Sequence, residues 1–394
     1  MPDLFLTGIG QLTTNTHEPV ANAVVAIEDG RVTYAGPEGD APEQTGQRID
    51  CEGRAVLPGF VDAHTHVVFA GDRSGEFARR LAGETYSGIA STGGGIAATV
   101  EATRAATEDE LFDLASGRVW RMIKSGTTSL EIKSGYGLDL DTELRLLRVA
   151  RRIGDELPVT VKTTFLGAHS VPPEFRANRA GYIQLIVDEM IPALDGLADY
   201  CDVFVEDGVF DVAEARTIFR AAAEHGLAAR VHAEQLGHSG GATLAADIGA
   251  VSADHLDHVT PEDAAALAHA GVAAVLVPGA SYTLRSPQAP GQMLAAAGCV
   301  LALATDCNPG TSYFESMAPI ISLAVVQMGL TVSQAIWAGT AGGAQSLGLV
   351  DRGVVGPGAV ADLLIIDAPE AAHIPYRPGS NLTWKVIKEG RAVV

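Results

Sequence analysis

The sequence predicts an α/β protein: a (β/α)8 barrel joined to a small β-sandwich domain built from both chain termini. Three observations carry this. The middle of the chain alternates apolar, β-branched runs with amphipathic stretches over about 290 residues, the size of such a barrel. The two ends share a different texture, short Val-, Ile- and Thr-rich runs broken by Gly, Pro and Asp. No GxGxxG fingerprint of an open doubly wound sheet follows the first strand of the middle region. The expected boundaries are 1–56 plus 348–394 for the small domain and 57–347 for the barrel.

Taken in order, LFLTGIGQLTT, NAVVAIEDGRVTYAG and GQRIDCEGRAVLPG read as strands. Asp29-Gly30 between two of these runs signals a hairpin, because a type I′ turn needs positive φ at both central residues. Eight barrel strands follow: VLPGFVDAHTHVV, GTTSLEIKSGY, VTVKTTFLGAHS, CDVFVEDGVF, LAARVHAEQL, AVSADHLDHV, VAAVLVPGASYTL and VLALATDCNPG. Helices lie between them. In DELFDLASGRVWRMIKS, Leu111, Leu114, Val119, Met122 and Ile123 fall mainly on one helical face. Thr107, Asp141 and Thr260, the last followed by Pro261, are candidate N-caps. Thr92-Gly93-Gly94-Gly95 reads as an active-site loop or merely a flexible one. GVVGPGAVADLLIIDAP and NLTWKVIKEGRAVV return to the β texture, and VIKEGRAV resembles the VAIEDGRVTY hairpin near the start.

Composition narrows the function. Of 394 residues, 47% are hydrophobic and only 19% charged, which excludes a disordered chain. The formal charge of −21 argues against a nucleic-acid partner, whose phosphates need a basic surface. A local Arg can still hold an anionic metabolite. No apolar run reaches the about 18–20 residues of a membrane span. The N-terminus has no basic n-region, so a cytoplasmic protein is expected. Cys51, Cys201, Cys299 and Cys307 are scattered and form no CxxC pair, which fits reduced thiols.

The sharpest chemical feature is Val61-Asp62-Ala63-His64-Thr65-His66. Side chains alternate along a strand, so His64 and His66 face the same way and can ligate one borderline metal ion such as zinc. His232, His255 and Asp306 each stand at the end of a further expected barrel strand. His17, His225, His238, His258, His269 and His373 lack such placement and read as helix or loop residues.

PGFVDAHTH, the HA of the fifth strand, the DH of the sixth and the TD of the eighth resemble the amidohydrolase superfamily, as does a β domain split between the termini. More narrowly, PGFVDAHTHVVFAGDR, EIKSGYGL, LGAHSVPPE, SADHL and TDCNPGTS are similar to the imidazolonepropionase family of histidine degradation, over essentially the whole chain. The resemblance implies one metal ion, zinc or iron, held by His64, His66, His232 and Asp306. Superfamily members with two metals often carry a carboxylated Lys on the fourth strand. YCDVFVEDGVF has no Lys and carries Glu206, so a single ion is expected. Lys133 and Lys162 lie on other strands and read as structural groups or groups lying behind the ligands.

The resemblance further implies that Arg73 anchors a substrate carboxylate. Tyr136, His169, Gln235, Asn308, Gly310 and Thr311 are implied contacts of substrate or product, with Tyr86 a weaker candidate. Gln235 has no titratable group, so Asp306 and His255 are expected to move the protons. The implied reaction is hydrolysis of the cyclic amide C–N bond of 4-imidazolone-5-propanoate to N-formimidoyl-L-glutamate. The alternatives are another cyclic amidohydrolase or deaminase of the superfamily, or a non-catalytic metabolite-binding barrel. The implied partner is a small anionic molecule, with neither nucleic acid nor membrane, and a homodimer is expected.

Overall fold

The computed structural model describes residues 2–43, 45–84 and 94–394. The N-terminal strands are β1 (Leu4–Leu12), β2 (Val20–Glu28), β3 (Arg31–Pro37), β4 (Gln47–Asp50) and β5 (Ala55–Pro58). The barrel strands are β6 (Phe60–Asp62), β7 (Thr127–Lys133), β8 (Thr160–Ala168), β9 (Tyr200–Val205), β10 (Ala228–Ala233), β11 (Ser252–His255), β12 (Ala273–Leu276) and β13 (Leu301–Leu303). The chain ends with β14 (Leu363–Ile366), β15 (Thr383–Lys388) and β16 (Arg391–Ala392).

The expected sandwich takes the form of one eight-stranded sheet, in the order β16-β15-β14-β5-β1-β2-β3 with β4 branching from β1. One edge of β1 forks, because its start pairs with β4 while Leu12 pairs with Val56 of β5. The sheet therefore folds round on itself. Leu6, Ile9, Val25 and Ile27 from one half share a core with Leu363, Ile365 and Ile387 from the other. The two Gly-containing turns behave as the sequence suggests: φ is 50° and 74° at Asp29 and Gly30, and 50° and 77° at Glu389 and Gly390. These hairpin tips, from opposite ends of the chain, touch. A Cβ on Gly30 would stand 2.9 Å from the Glu389 carbonyl oxygen. Strand alternation then docks the sheet: Leu363 and Ile365 face its own core, while Leu364 and Ile366 join the barrel core.

The barrel strands pair in parallel in strict chain order from β6 to β13. Backbone bonds across the last seam complete the ring, from Ala63 N to Leu303 O (3.5 Å) and from Asp306 N to His64 O (2.9 Å). Outside this seam runs the helical segment Val332–Ser346. It can press against both strands because it carries Gly342 and Gly343. Cβ atoms there would stand 2.0 Å from Leu301 O and 2.6 Å from Val61 O. Among the outer helices, Thr107 and Thr260 cap Glu108–Lys124 and Pro261–Ala270 with reciprocal capping boxes.

Two local expectations change. Asp139, rather than Asp141, caps Leu140–Glu156, its carboxylate accepting from Thr142 N at 2.8 Å. Asp141 falls inside the first turn, where its charge still favours the helix dipole. Leu114 is 44% exposed, while Leu111, Val119, Met122 and Ile123 are buried. At 3.6 residues per turn it lies about 60° from Leu111, on the side away from the other three.

Candidate active site

The site is built at the ends of β6, β10 and β11 and just beyond β13. His64 and His66 leave β6 on one face, while Thr65 between them turns away and donates to Glu131 O at 2.7 Å. Bonds from Asp306 N to His64 O and from His66 N to Cys307 O (3.1 Å) stitch the β6 and β13 ends together. His255 and Asp306 reach the centre from left-handed backbone, with φ of 79° and 51°. Such conformations cost about 1–3 kcal/mol each and persist where surrounding contacts over-determine them.

The side chains converge tightly. His64 Nε2 lies 3.2 Å from His66 Nε2, and Asp306 Oδ1 lies 3.7 and 3.5 Å from these two atoms. The His64 ring centroid is 4.5 Å from that of His232 and 5.3 Å from that of His255. Two sets of ligand atoms, His64 with His66 and Asp306, and His64 with His232 and His255, each fall within 4.8 Å. Both share His64, so they form one cluster. Burial, reinforced by neighbouring cations and imidazoles, holds His64, His66 and His255 well below the usual imidazole range. They are therefore neutral, the form with a free lone pair. Burial raises the Asp306 carboxyl well above its ordinary range, against the hydrogen bond from Asn308.

This donor set fits a metal ion. The Nδ1 atoms of His66 and His255 are buried without a hydrogen-bond partner among the described residues. Imidazole nitrogens and one carboxylate oxygen are ligands that a borderline ion accepts. Elsewhere among the described residues no comparable group of His, Cys, Asp or Glu occurs. All four cysteines are buried free thiols outside it. His238 lies away from the cluster, paired with Asp263 at 2.8 Å.

Beneath the cluster lies a buried charged network. Asp254 accepts from His64 Nδ1 at 2.6 Å, and Asp202 Oδ2 lies 3.0 Å from His232 Nδ1. The Lys133 ammonium joins them, 2.7 Å from Asp202, 2.8 Å from Glu131 and 3.6 Å from Asp254. Burial alone would lower the Lys133 pKa, but Asp202, Glu131 and Asp254 together hold it above its ordinary value. Arg230 adds a second buried cation, 3.4 Å from Asp254. Carboxylates on the far side of ligand imidazoles fix ring orientation and tautomer. Removing one partner of a buried ion network leaves uncompensated charge, at about 3–5 kcal/mol. Lys133→Met should therefore lower the melting temperature and loosen metal retention roughly 10- to 100-fold. Calorimetry and metal analysis after dialysis check this; an unchanged melting temperature would contradict it.

The remaining sequence-predicted residues line the same mouth. His169 stacks on His66 with centroids 5.2 Å apart, and Tyr136 lies 5.3 Å from His169 and 5.8 Å from His66. Burial pushes His169 down to about 3, so the ring is neutral. Its Nδ1 lies 2.9 Å from Gly135 O and must carry the proton, which leaves Nε2 as an acceptor. Tyr136 is buried within electrostatic reach of both Asp306 and Arg73. Asn308 shapes its own loop, accepting from Gly310 N and Thr311 N at 2.8 Å each. Those two N–H groups are thus engaged inside the loop, and the Thr311 hydroxyl accepts from Asn308 Nδ2 at 3.1 Å. Gln235 is buried, with no hydrogen-bond partner among the described residues. Its neighbour Glu234 is committed elsewhere, accepting from Ser239 N and Ala242 N. Glu206, in place of a fourth-strand Lys, accepts from Leu236 N at 2.8 Å. Tyr86, Thr92 and Gly93 lie outside the described residues.

Arg73 holds a partner that the sequence reading missed. Its Nε and Nη2 form a two-point pair with Glu76 at 3.1 and 2.5 Å. The i,i+3 spacing at the start of Ser74–Leu81 was the available signal.

The barrel, its terminal sheet and the His–Asp cluster define a metal-site hydrolase architecture, and comparison with known proteins gives the class. The amidohydrolase family model matches residues 55–393, and the chain belongs to that family. Within it, the chain is 44% identical to an imidazolonepropionase of Symbiobacterium thermophilum, covering 100% of this chain and 97% of that protein. It is 46% identical to the imidazolonepropionase of Myxococcus xanthus (95% and 91% covered) and 47% identical to that of Salinispora arenicola (99% and 98%). Among solved structures, N-isopropylammelide isopropylaminohydrolase from Burkholderia multivorans superposes with a TM-score of 0.74 at 20% identity, covering 100% of this chain and 98% of that one. 5-Methylcytosine deaminase from Klebsiella pneumoniae gives 0.77 at 16%, with 99% and 97% covered. At such identities these structures share the fold.

Proposed function

We propose that the chain hydrolyses 4-imidazolone-5-propanoate to N-formimidoyl-L-glutamate, the imidazolonepropionase reaction of histidine catabolism. The observation that carries this is a buried His–Asp cluster sharing one barrel mouth with an arginine: Arg73 packs against Gly310, on the loop that follows Asp306. A small cyclic amide with a carboxylate tail fits that pairing, and full-length relatives named for this activity point the same way.

In this reading His64, His66, His232 and Asp306 hold one ion, zinc or iron. When bound, the ion supplies Lewis acidity, polarising a carbonyl and making water a nucleophile near neutral pH. The protein's own groups do the rest. Asp306 takes the proton from the attacking water as its oxygen bonds to the ring carbonyl carbon. His255, buried beside His64 and His232, hydrogen-bonds the reacting oxygen and relays the proton taken by Asp306 to the leaving ring nitrogen. The C–N bond breaks, the former carbonyl becomes a carboxylate, and the nitrogen departs within the formimidoyl group. His169 Nε2, Tyr136 and Gln235 orient the ring. The same reading makes the protein a cytoplasmic homodimer, which light scattering tests for the oligomer.

Arg73 anchors the propionate. A hydrogen bond to a charged group contributes about 1.5–3 kcal/mol, so Arg73→Ala should lose roughly 10- to 200-fold in kcat/KM, mainly through KM. Arg73→Lys should rescue only in part, because a point charge lacks the planar fork. Wild-type efficiency in Arg73→Ala would place the carboxylate elsewhere. The reading as a whole is tested by mixing purified protein with freshly prepared imidazolone propionate and following loss of its ultraviolet absorbance. Fast, protein-dependent loss supports it; decay at the spontaneous rate defeats it.

A further inference from the structure

We propose that Arg80 is a second anchor for the substrate carboxylate, standing beside Arg73 against the loop that follows Asp306. The proposal rests on the imidazolone reading above and names a residue which that reading did not use. Arg80 lies on the helix Ser74–Leu81, and its single side-chain hydrogen bond among the described residues runs from Nη1 to Gly310 O at 3.3 Å. Its Nε and Nη2 are sealed from solvent and have no hydrogen-bond partner among the described residues, although the guanidinium carbon lies 5.6 Å from the Phe77 ring centroid. These two atoms form the edge of a guanidinium that grips a carboxylate side-on. Arg73 uses the same edge on Glu76.

Glu76 pairs with Arg73, and both its oxygens are taken: Oε1 by Arg73 Nη2, and Oε2 by Arg73 Nε and by Gly95 N at 2.8 Å. Two guanidinium groups thus face one saturated carboxylate. They converge on one residue, since a Cβ on Gly310 would stand 2.4 Å from Arg73 Nη1 while Gly310 O accepts from Arg80. Burial and the neighbouring Arg73 disfavour the Arg80 charge against the attraction of Glu76, a cost that a bound carboxylate removes. Arg73, which the reading above places on the propionate, and Arg80 thus flank the same residue of the loop that follows Asp306.

The test compares two probes on metal-loaded wild type, Arg80→Met and Arg80→Lys: imidazole-4-propionate, and 4-propylimidazole, which lacks the carboxylate. Calorimetry reads binding, and steady-state kinetics with imidazolone propionate reads KM against kcat. In Arg80→Met, affinity for imidazole-4-propionate should fall roughly 10- to 100-fold while 4-propylimidazole binds as before, KM should rise in step and kcat should change much less. Arg80→Lys should recover part of the preference, which a purely structural role would not produce. Unchanged discrimination in Arg80→Met, with wild type turning over the imidazolone, overturns the Arg80 assignment alone. Wild type that neither turns over the imidazolone nor prefers the carboxylate-bearing probe overturns the functional reading, and Arg80 with it.

Discussion

His255→Ala should keep its metal and lose about 10²- to 10⁴-fold in kcat, the range typical of a general acid–base group. Asp306→Asn should lose metal and turnover together, because it removes a charged ligand and a proton acceptor at once. Gln235→Ala should cost less in kcat than either, since an amide can only position the ligand. The structure explains why these effects should separate. Asp306 Oδ1 lies 3.7 and 3.5 Å from the Nε2 atoms of His64 and His66, whereas Gln235 makes no side-chain hydrogen bond to the cluster among the described residues. Metal analysis beside steady-state kinetics checks the division. Full turnover in His255→Ala, or a Gln235→Ala as damaged as Asp306→Asn with its metal intact, would show that the roles are assigned wrongly.

His64→Ala should lose most of its metal, and activity with it. His64 belongs to both ligand-atom sets and is braced from behind by Asp254, so its loss removes a donor from every arrangement the cluster can make. Elemental analysis of the wild type should give about one ion per chain, in keeping with a mononuclear catalytic site that holds its ion through a few protein ligands and an open position. Two ions per chain bridged by a modified Lys would contradict this. No Lys stands on β9, and Glu206 just beyond its end accepts from Leu236 N in the loop after β10.

Much of this was legible in the chain because its signals are local. His-x-His at a strand end needs only the alternation of strand side chains to place both imidazoles together. Asp29-Gly30 and the Thr107 and Thr260 caps are short-range turn and helix chemistry. What stayed hidden depends on distant partners. The fork of β1 between β4 and β5 is a pairing choice that neither strand encodes alone. Asp141 and Asp139 are both plausible caps, and only the backbone geometry separates them. The network of Glu131, Lys133, Asp202, Arg230 and Asp254 did leave a trace. These are charged residues within runs such as SLEIK, CDVFV and AARVHA, where barrel strands buried on both faces should be apolar. Charges in such runs require mutual pairing, but the sequence does not say which imidazole each carboxylate will brace. The Glu76 grip on Arg73 left only its i,i+3 spacing as a signal, and the free edge of Arg80 emerges only once the helix Ser74–Leu81 is set against the loop at Gly310.

The central claim is ring opening of 4-imidazolone-5-propanoate by water at the amide carbonyl. Turnover in ¹⁸O-labelled water, with the product identified by mass spectrometry, tests it most directly. The account predicts N-formimidoyl-L-glutamate carrying one label in its new carboxylate, formed at a rate that falls when the metal is removed. Release of ammonia with the ring intact, or formation of no product, would contradict it.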